Sequence, residues 1–124
     1  MISPATLTEL RDAVLSAPRV IAVGAETKPR LSAVDAEKIS TRQLRGIVEY
    51  DPGEFTFTAL AGTPVSEVIA VLAAQGQYLP FDPMLVEAGS TLGGVVASGL
   101  SGPGRFRFGG VRDFILGVRL VDGL

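Results

Sequence analysis

The sequence predicts an α+β fold, with a small sheet and two main helices followed by a glycine-rich stretch that feeds another sheet. Three observations predict it. Two segments repeat apolar residues at helical spacing behind clear start signals. One segment alternates as a half-buried strand does, directly after a turn signal. Eight of the fifteen glycines crowd between Gly89 and Gly110.

Thr6-Leu7-Thr8-Glu9 fits a capping box, with Thr6 as N-cap and Glu9 reaching back. Leu7, Leu10, Val14 and Leu15 recur at helical spacing, and Pro18 ends the element. A short strand, Val20-Ile21-Ala22-Val23, runs into a loop at Gly24. From Lys28 to Arg45 the chain is polar and mixed; short strands fit there without a strong signal. Ile47 to Tyr50 is a candidate strand, and Asp51-Pro52-Gly53 is a turn signal. Phe55, Phe57 and Ala59 alternate with Thr56, Thr58 and Leu60, so the two strands pair as a hairpin. Thr63-Pro64 opens the second helix, hydroxyl cap first and proline at its favoured first position. Val65, Val68, Ile69 and Leu72 line one face as core, and Gly76 ends the helix. The composition changes after Leu79-Pro80-Phe81-Asp82-Pro83. Thr91 to Ser98 suits a short helix, Phe114 to Val121 reads as a buried strand, and Asp122-Gly123 is a hairpin turn signal.

Composition narrows the chemistry. At 124 residues the chain is one domain at most, and 47% hydrophobic against 19% charged residues argues against disorder. A net charge of −2 supplies no electrostatic reason to expect a nucleic-acid partner. Cysteine and histidine are absent, which excludes disulfides, zinc–thiolate sites and any Ser-His or Cys-His pair within this chain. Any metal would be held by carboxylates alone. Met1 to Thr6 shows no basic region before an apolar stretch, so it is not a signal peptide. The uncharged run from Ala88 to Gly104 is too rich in glycine and hydroxyls for a membrane span. A soluble, cytoplasmic protein is expected.

Three constellations carry chemistry. Gly24, Ala25, Glu26, Thr27 and Lys28 follow a strand; small residues there let backbone N–H groups approach a phosphate, with a hydroxyl and an ammonium added. The alternative is an ordinary strand-to-loop turn, and the Glu26 carboxylate opposes an anion. The second runs from Gly89 to Gly99. Ser90 or Thr91 can cap a short helix whose free N–H groups attract an anion, while Gly93 and Gly94 let a flat ring or diphosphate come close. A tight helix packed on a sheet explains the same glycines. The third, Ser101 to Asp113, interleaves Arg105, Arg107 and Arg112 with Phe106 and Phe108; it suits phosphates or single-stranded nucleic acid, the latter disfavoured by the acidic net charge, or a local Arg112–Asp113 pair with a phenylalanine anchoring a loop.

These stretches in this order resemble the PCMH-type FAD-binding fold of vanillyl-alcohol oxidase and its relatives, above all the FAD-binding subunits of hydroxy-acid oxidases. The stretches are Gly46 to Pro52, Ala61 to Pro64, Gly76 to Pro83, Thr91 to Ala97, Gly99 to Pro103 and Val111 to Gly117. The resemblance implies the first subdomain of that fold plus the beginning of the second, within a partial FAD-binding domain over 1–124. Residues 1–62 would supply helix, strand, phosphate loop and hairpin; residues 63–124 would supply helix, flavin-contacting glycine segment and last strand. It implies FAD, held non-covalently, with Gly24, Ala25, Glu26, Thr27 and Lys28 at the pyrophosphate. Pro80, Gly89, Ser90, Thr91, Gly93, Gly94, Ser98 and Gly99 would line the flavin and its phosphates, and Arg105, Phe108 and Gly109 would close over the cofactor. By the same resemblance, relatives often carry glycine or another small residue where this chain has Glu26. No catalytic residue and no metal ligand is assigned. The function implied is the FAD-binding portion of a flavin-dependent oxidoreductase acting on a 2-hydroxy acid such as glycolate; the alternative is a structural subunit that keeps the fold without the cofactor. Family members are longer, so the chain is expected to be incomplete, to bind FAD weakly or not at all, and to be inactive alone. Expected partners are other subunits of a hydroxy-acid oxidase complex, a chain supplying the rest of the domain, or a second copy through an open strand edge.

Overall fold

The computed structural model describes residues 1–29 and 34–124. Helix α1 spans Leu7–Ser16, followed by strands β1 (Val20–Val23), β2 (Glu37–Ser40), β3 (Ile47–Asp51) and β4 (Thr56–Ala59). Helices α2 (Val65–Ala73), α3 (Leu92–Ser98) and α4 (Arg105–Phe108) come next, and a 3-10 turn covers Val111–Phe114. The expectation of short strands between Lys28 and Arg45 is met by β2; residues 30–33 of that segment lie outside the described residues.

α1 starts as the capping signal requires. The Glu9 N–H donates to Thr6 Oγ1 (3.1 Å), while the Glu9 carboxylate reaches back one residue beyond the cap, to the Ala5 N–H (2.7 Å). Its apolar stripe is covered only in part, because Ala13 is buried whereas Leu7 and Leu15 stay exposed. β1 pairs with β2 in parallel, Val20 opposite Glu37 through Val23 opposite Ser40. The N-terminus lies on the other edge of β2, with the Ile2 N–H donating to the Lys38 carbonyl (2.9 Å). β3 and β4 form the expected antiparallel hairpin, and the Asp51-Pro52-Gly53 signal becomes a 3-10 turn capped by the Asp51 carboxylate.

α2 buries Val65, Val68 and Leu72 and closes in a left-handed turn at Gly76 (φ +69°). There the Gln77 N–H donates to the Leu72 carbonyl (2.9 Å), the long bond of a Schellman closure. Thr63, expected as its cap, does something else. The Thr63 hydroxyl donates to the Leu60 carbonyl (2.7 Å) and accepts from the Gly46 N–H (3.0 Å), tying α2 to the base of the hairpin. The Val65 N–H is satisfied by the Ser90 carbonyl (2.9 Å) instead. Arg45 donates from Nε to the Glu67 carboxylate (2.8 Å), which holds its guanidinium pKa above the ordinary value by hydrogen bond first and charge second.

The central cluster is Val65, Phe81, Val95 and Val111, so α2, α3 and the final turn share one core. The buried strand expected over Phe114 to Val121 does not form. Past Phe114 the chain is irregular, with Leu116 87% and Leu120 82% exposed, and the Asp122-Gly123 signal makes no hairpin. A strand needs a neighbour to accept its hydrogen bonds, and both sheets of the described residues are two-stranded and distant in sequence.

Candidate functional site

The loop after β1 and the start of α3 meet. A Cβ added to Gly24 would collide with Thr91 Oγ1, and one added to Gly94 would lie 3.2 Å from the same atom. Only a glycine at position 24 lets the loop lie this close to the cap of α3. Thr91, itself buried, adopts the extended cap conformation and accepts from the Gly94 N–H (3.3 Å). The first and second constellations are therefore neighbours.

Their amides differ in state. The expectation of free N–H groups at the start of α3 is corrected by the hydrogen bonding. The Leu92 N–H donates to the Thr63 carbonyl (2.9 Å) and the Gly93 N–H to the Ala61 carbonyl (2.8 Å), so packing has already consumed them. Gly93 is the contact point: its Cβ would stand 2.8 Å from Ala61 Cβ and 2.9 Å from Ala61 O. The close approach that the structure shows at Gly93 is that of Ala61. In the loop after β1 the opposite holds. Among the described residues, none accepts from the backbone N–H of Gly24, Ala25, Glu26, Thr27 or Lys28.

Glu26 sits in the left-handed region (φ +55°), and its carboxylate pairs with Lys38 Nζ on β2 (2.9 Å). The charge that opposes an anion is thus countered by a lysine that sequence reading passed over. Lys28 Nζ lies 3.4 Å from Thr27 Oγ1, its one hydrogen-bond partner among the described residues.

The remaining candidates are placed as follows. Pro80 and Gly89 are half-buried, and Gly89 (φ +88°) takes a conformation that disfavours any side chain. Ser90 is buried and spends its hydroxyl on the Met84 carbonyl (3.0 Å). Ser98 Oγ donates to the Val95 carbonyl (3.3 Å), and Gly99 closes α3 at φ +65°. Arg105 turns back on its own loop, donating from Nη1 to the carbonyls of Ser101 (3.1 Å) and Gly102 (3.0 Å), with its guanidinium 4.2 Å from the Phe106 ring. Phe108 meets Tyr78 edge-on at 6.3 Å. Gly109 (φ +99°) leaves room for Asp113, which accepts from the Gly110 N–H (2.9 Å); no Arg112–Asp113 ion pair forms among the described residues.

Among the described residues no group of three or more carboxylates converges as a metal site, and no helix is long and apolar enough to cross a membrane. An open cleft of about 390 Å³ between α1 and residues 119–124 contains none of the candidate residues.

The loop after β1 therefore lies against the cap of α3, and the chain belongs to the FAD binding domain family, matching it over residues 1–124. Among curated proteins it is 39% identical over 122 residues to the glycolate oxidase subunit GlcE of Escherichia coli (strain K12). That match takes in 98% of this chain and spans 35% of the length of GlcE. Among solved structures it is similar to alkyldihydroxyacetonephosphate synthase in two crystal forms, P1 and P212121, each with a TM-score of 0.71. Those likenesses cover 90% of this chain and 23% and 22% of the synthase, at 24% and 25% identity, and they carry the fold.

Proposed function

We propose that this chain forms the pyrophosphate-holding part of an FAD-binding domain in a flavin-dependent oxidoreductase acting on a 2-hydroxy acid such as glycolate. The observation that carries the reading is the row of five backbone amides from Gly24 to Lys28 that find no acceptor among the described residues, ended by an ammonium and with Gly24 pressed against the α3 cap. Consecutive N–H groups on a sharply turned backbone make an anion-binding concavity. Bound FAD would supply hydride acceptance from the hydroxyl-bearing carbon, a chemistry that belongs to the cofactor. This chain's share is to hold and orient: the loop takes the diphosphate, Lys28 offsets its charge, and the segments around Pro80 and Ser98 to Gly99 bound the ring. The similarity to GlcE supports the hydroxy-acid substrate class and assembly with further subunits.

Titrating the chain with FAD while following flavin fluorescence tests the reading. Saturable but weak quenching, displaced by ADP or inorganic pyrophosphate, is the expected result. A response that stays linear in protein, or ignores both competitors, overturns it. One observation favours a second reading, a fold kept without cofactor: Glu26 occupies a left-handed position in this loop and carries a carboxylate, paired with Lys38 of β2. That version requires no saturation even when the Glu26 charge is removed.

A further inference from the structure

Asp82 stands outside every constellation that the sequence singled out for cofactor contact, yet the glycines of the loop after α3 are arranged around it. A Cβ on Gly102 would collide with its carboxylate, and one on Gly104 would lie 3.0 Å from Asp82 Cβ. Its Oδ2 accepts from the Gly104 N–H (2.9 Å) and its carbonyl from the Gly102 N–H (2.6 Å). Asp82 itself is left-handed (φ +54°), a conformation that aspartate tolerates better than most side chains. Pro83 bridges Ser101 next door, and Phe81, 5% exposed, anchors the segment in the core against the Phe114 ring at 5.9 Å. The clamped loop also holds Ser101, 7% exposed, whose Oγ is the one buried side-chain polar atom without a partner among the described residues. A buried hydroxyl left unpaired is costly, so its placement calls for a reason beyond packing.

We propose that Asp82 is a positioning residue for cofactor binding, clamping Gly102 and Gly104 so that Ser101 and Arg105 are set in place before FAD arrives. This rests on the FAD reading above. The carboxylate does not touch the cofactor; it fixes the backbone from which the two flanking residues act.

Three variants of the full chain test it: Asp82→Ala, Asp82→Asn and Gly104→Ala. FAD and ADP affinities are measured by titration, and Gly104 amide exchange is followed in the free protein. Asp82→Ala is expected to speed Gly104 exchange and to weaken FAD by about tenfold, the loss of a charge-assisted hydrogen bond. ADP, which engages the loop after β1 only, keeps its affinity. Asp82→Asn retains an acceptor and restores most of the FAD binding. Should Asp82→Ala fail to fold, Gly104→Ala displaces the same loop with the carboxylate intact, and weaker FAD with unchanged ADP is again the expected split. Unchanged FAD affinity in the variants, or equal weakening of FAD and ADP, overturns the positioning role while leaving the FAD reading standing. Absence of FAD saturation in the unaltered chain instead overturns that reading, and the positioning role with it.

Discussion

At the scale of single residues, the glycines separate by what they touch. Gly62 packs where a Cβ would overlap the Thr41 carbonyl oxygen and lie 2.7 Å from that of Leu44. Both obstacles are backbone, and the Gly62 N–H also donates to the Leu44 carbonyl (2.7 Å), so nothing there can swing aside. Gly62→Ala is expected to destabilise by about 3 kcal/mol or more. Gly53→Ala has only the Asp51 carboxylate at 3.5 Å as neighbour, and should stay within about 0.5 kcal/mol. Urea denaturation midpoints of the pair check this, and equal midpoints would refute the packing argument. Glu26 tests charge rather than space. Its ion pair with Lys38 joins side chains that are both more than 40% exposed, so losing it changes stability little. Glu26→Gln removes a negative charge from a loop proposed to hold a diphosphate, and FAD affinity should rise about two- to fivefold. Unchanged or weaker binding would show that this loop is not where the phosphates lie.

At the scale of elements, helix caps provide the sharpest comparison. Thr6 caps an exposed helix start, whereas Thr91 caps α3 from a buried position against Gly24. Thr6→Ala should cost about 1 kcal/mol, and Thr91→Ala closer to about 2 kcal/mol, because the buried site loses packing as well as the cap. Thermal unfolding of the two variants orders them, and a larger effect at Thr6 would contradict the burial argument. The same contrast explains what was legible beforehand. The α1 cap, the Asp-Pro-Gly turn and most of the α2 stripe are settled within a few residues of chain, so their signals are local and they form as read; Ile69, expected on the core face of α2, is instead 36% exposed, at the margin of the buried stripe. Thr63 is not local: its hydroxyl serves Gly46, seventeen positions away, and no spacing rule announces that. Glycine density between positions 89 and 110 announces close approach without saying of what. At Gly93 the visitor is Ala61, and at Gly102 and Gly104 it is Asp82. The site was legible as separate stretches; that Gly24 abuts Thr91, and that Lys38 answers Glu26, required the fold.

For the whole molecule, the consequential feature is the apolar surface after the last core residue. Leu116, Val118 and Leu120 alternate as a strand does, yet they pair with no strand among the described residues and stand 87%, 57% and 82% exposed. Phe114 and Ile115 next to them are 40% and 37% exposed, so five apolar side chains between positions 114 and 120 are exposed. Alternating apolar residues with unpaired backbone groups are a template for pairing with another strand, and a second copy offers an identical one. Self-association that grows with protein concentration is therefore expected of this chain in solution. Replacing Leu116 and Leu120 together by lysine puts two like charges on that stretch, at positions 87% and 82% exposed and outside the core. The double variant should shift to monomer by light scattering at concentrations where the unaltered chain associates, while its thermal midpoint stays put because no core contact has been removed. Were the unaltered chain monomeric throughout, the exposed stretch would not be adhesive. Were the variant instead to lose its midpoint, Leu116 and Leu120 would belong to the core, and the tail would be packed in a way that their exposure contradicts.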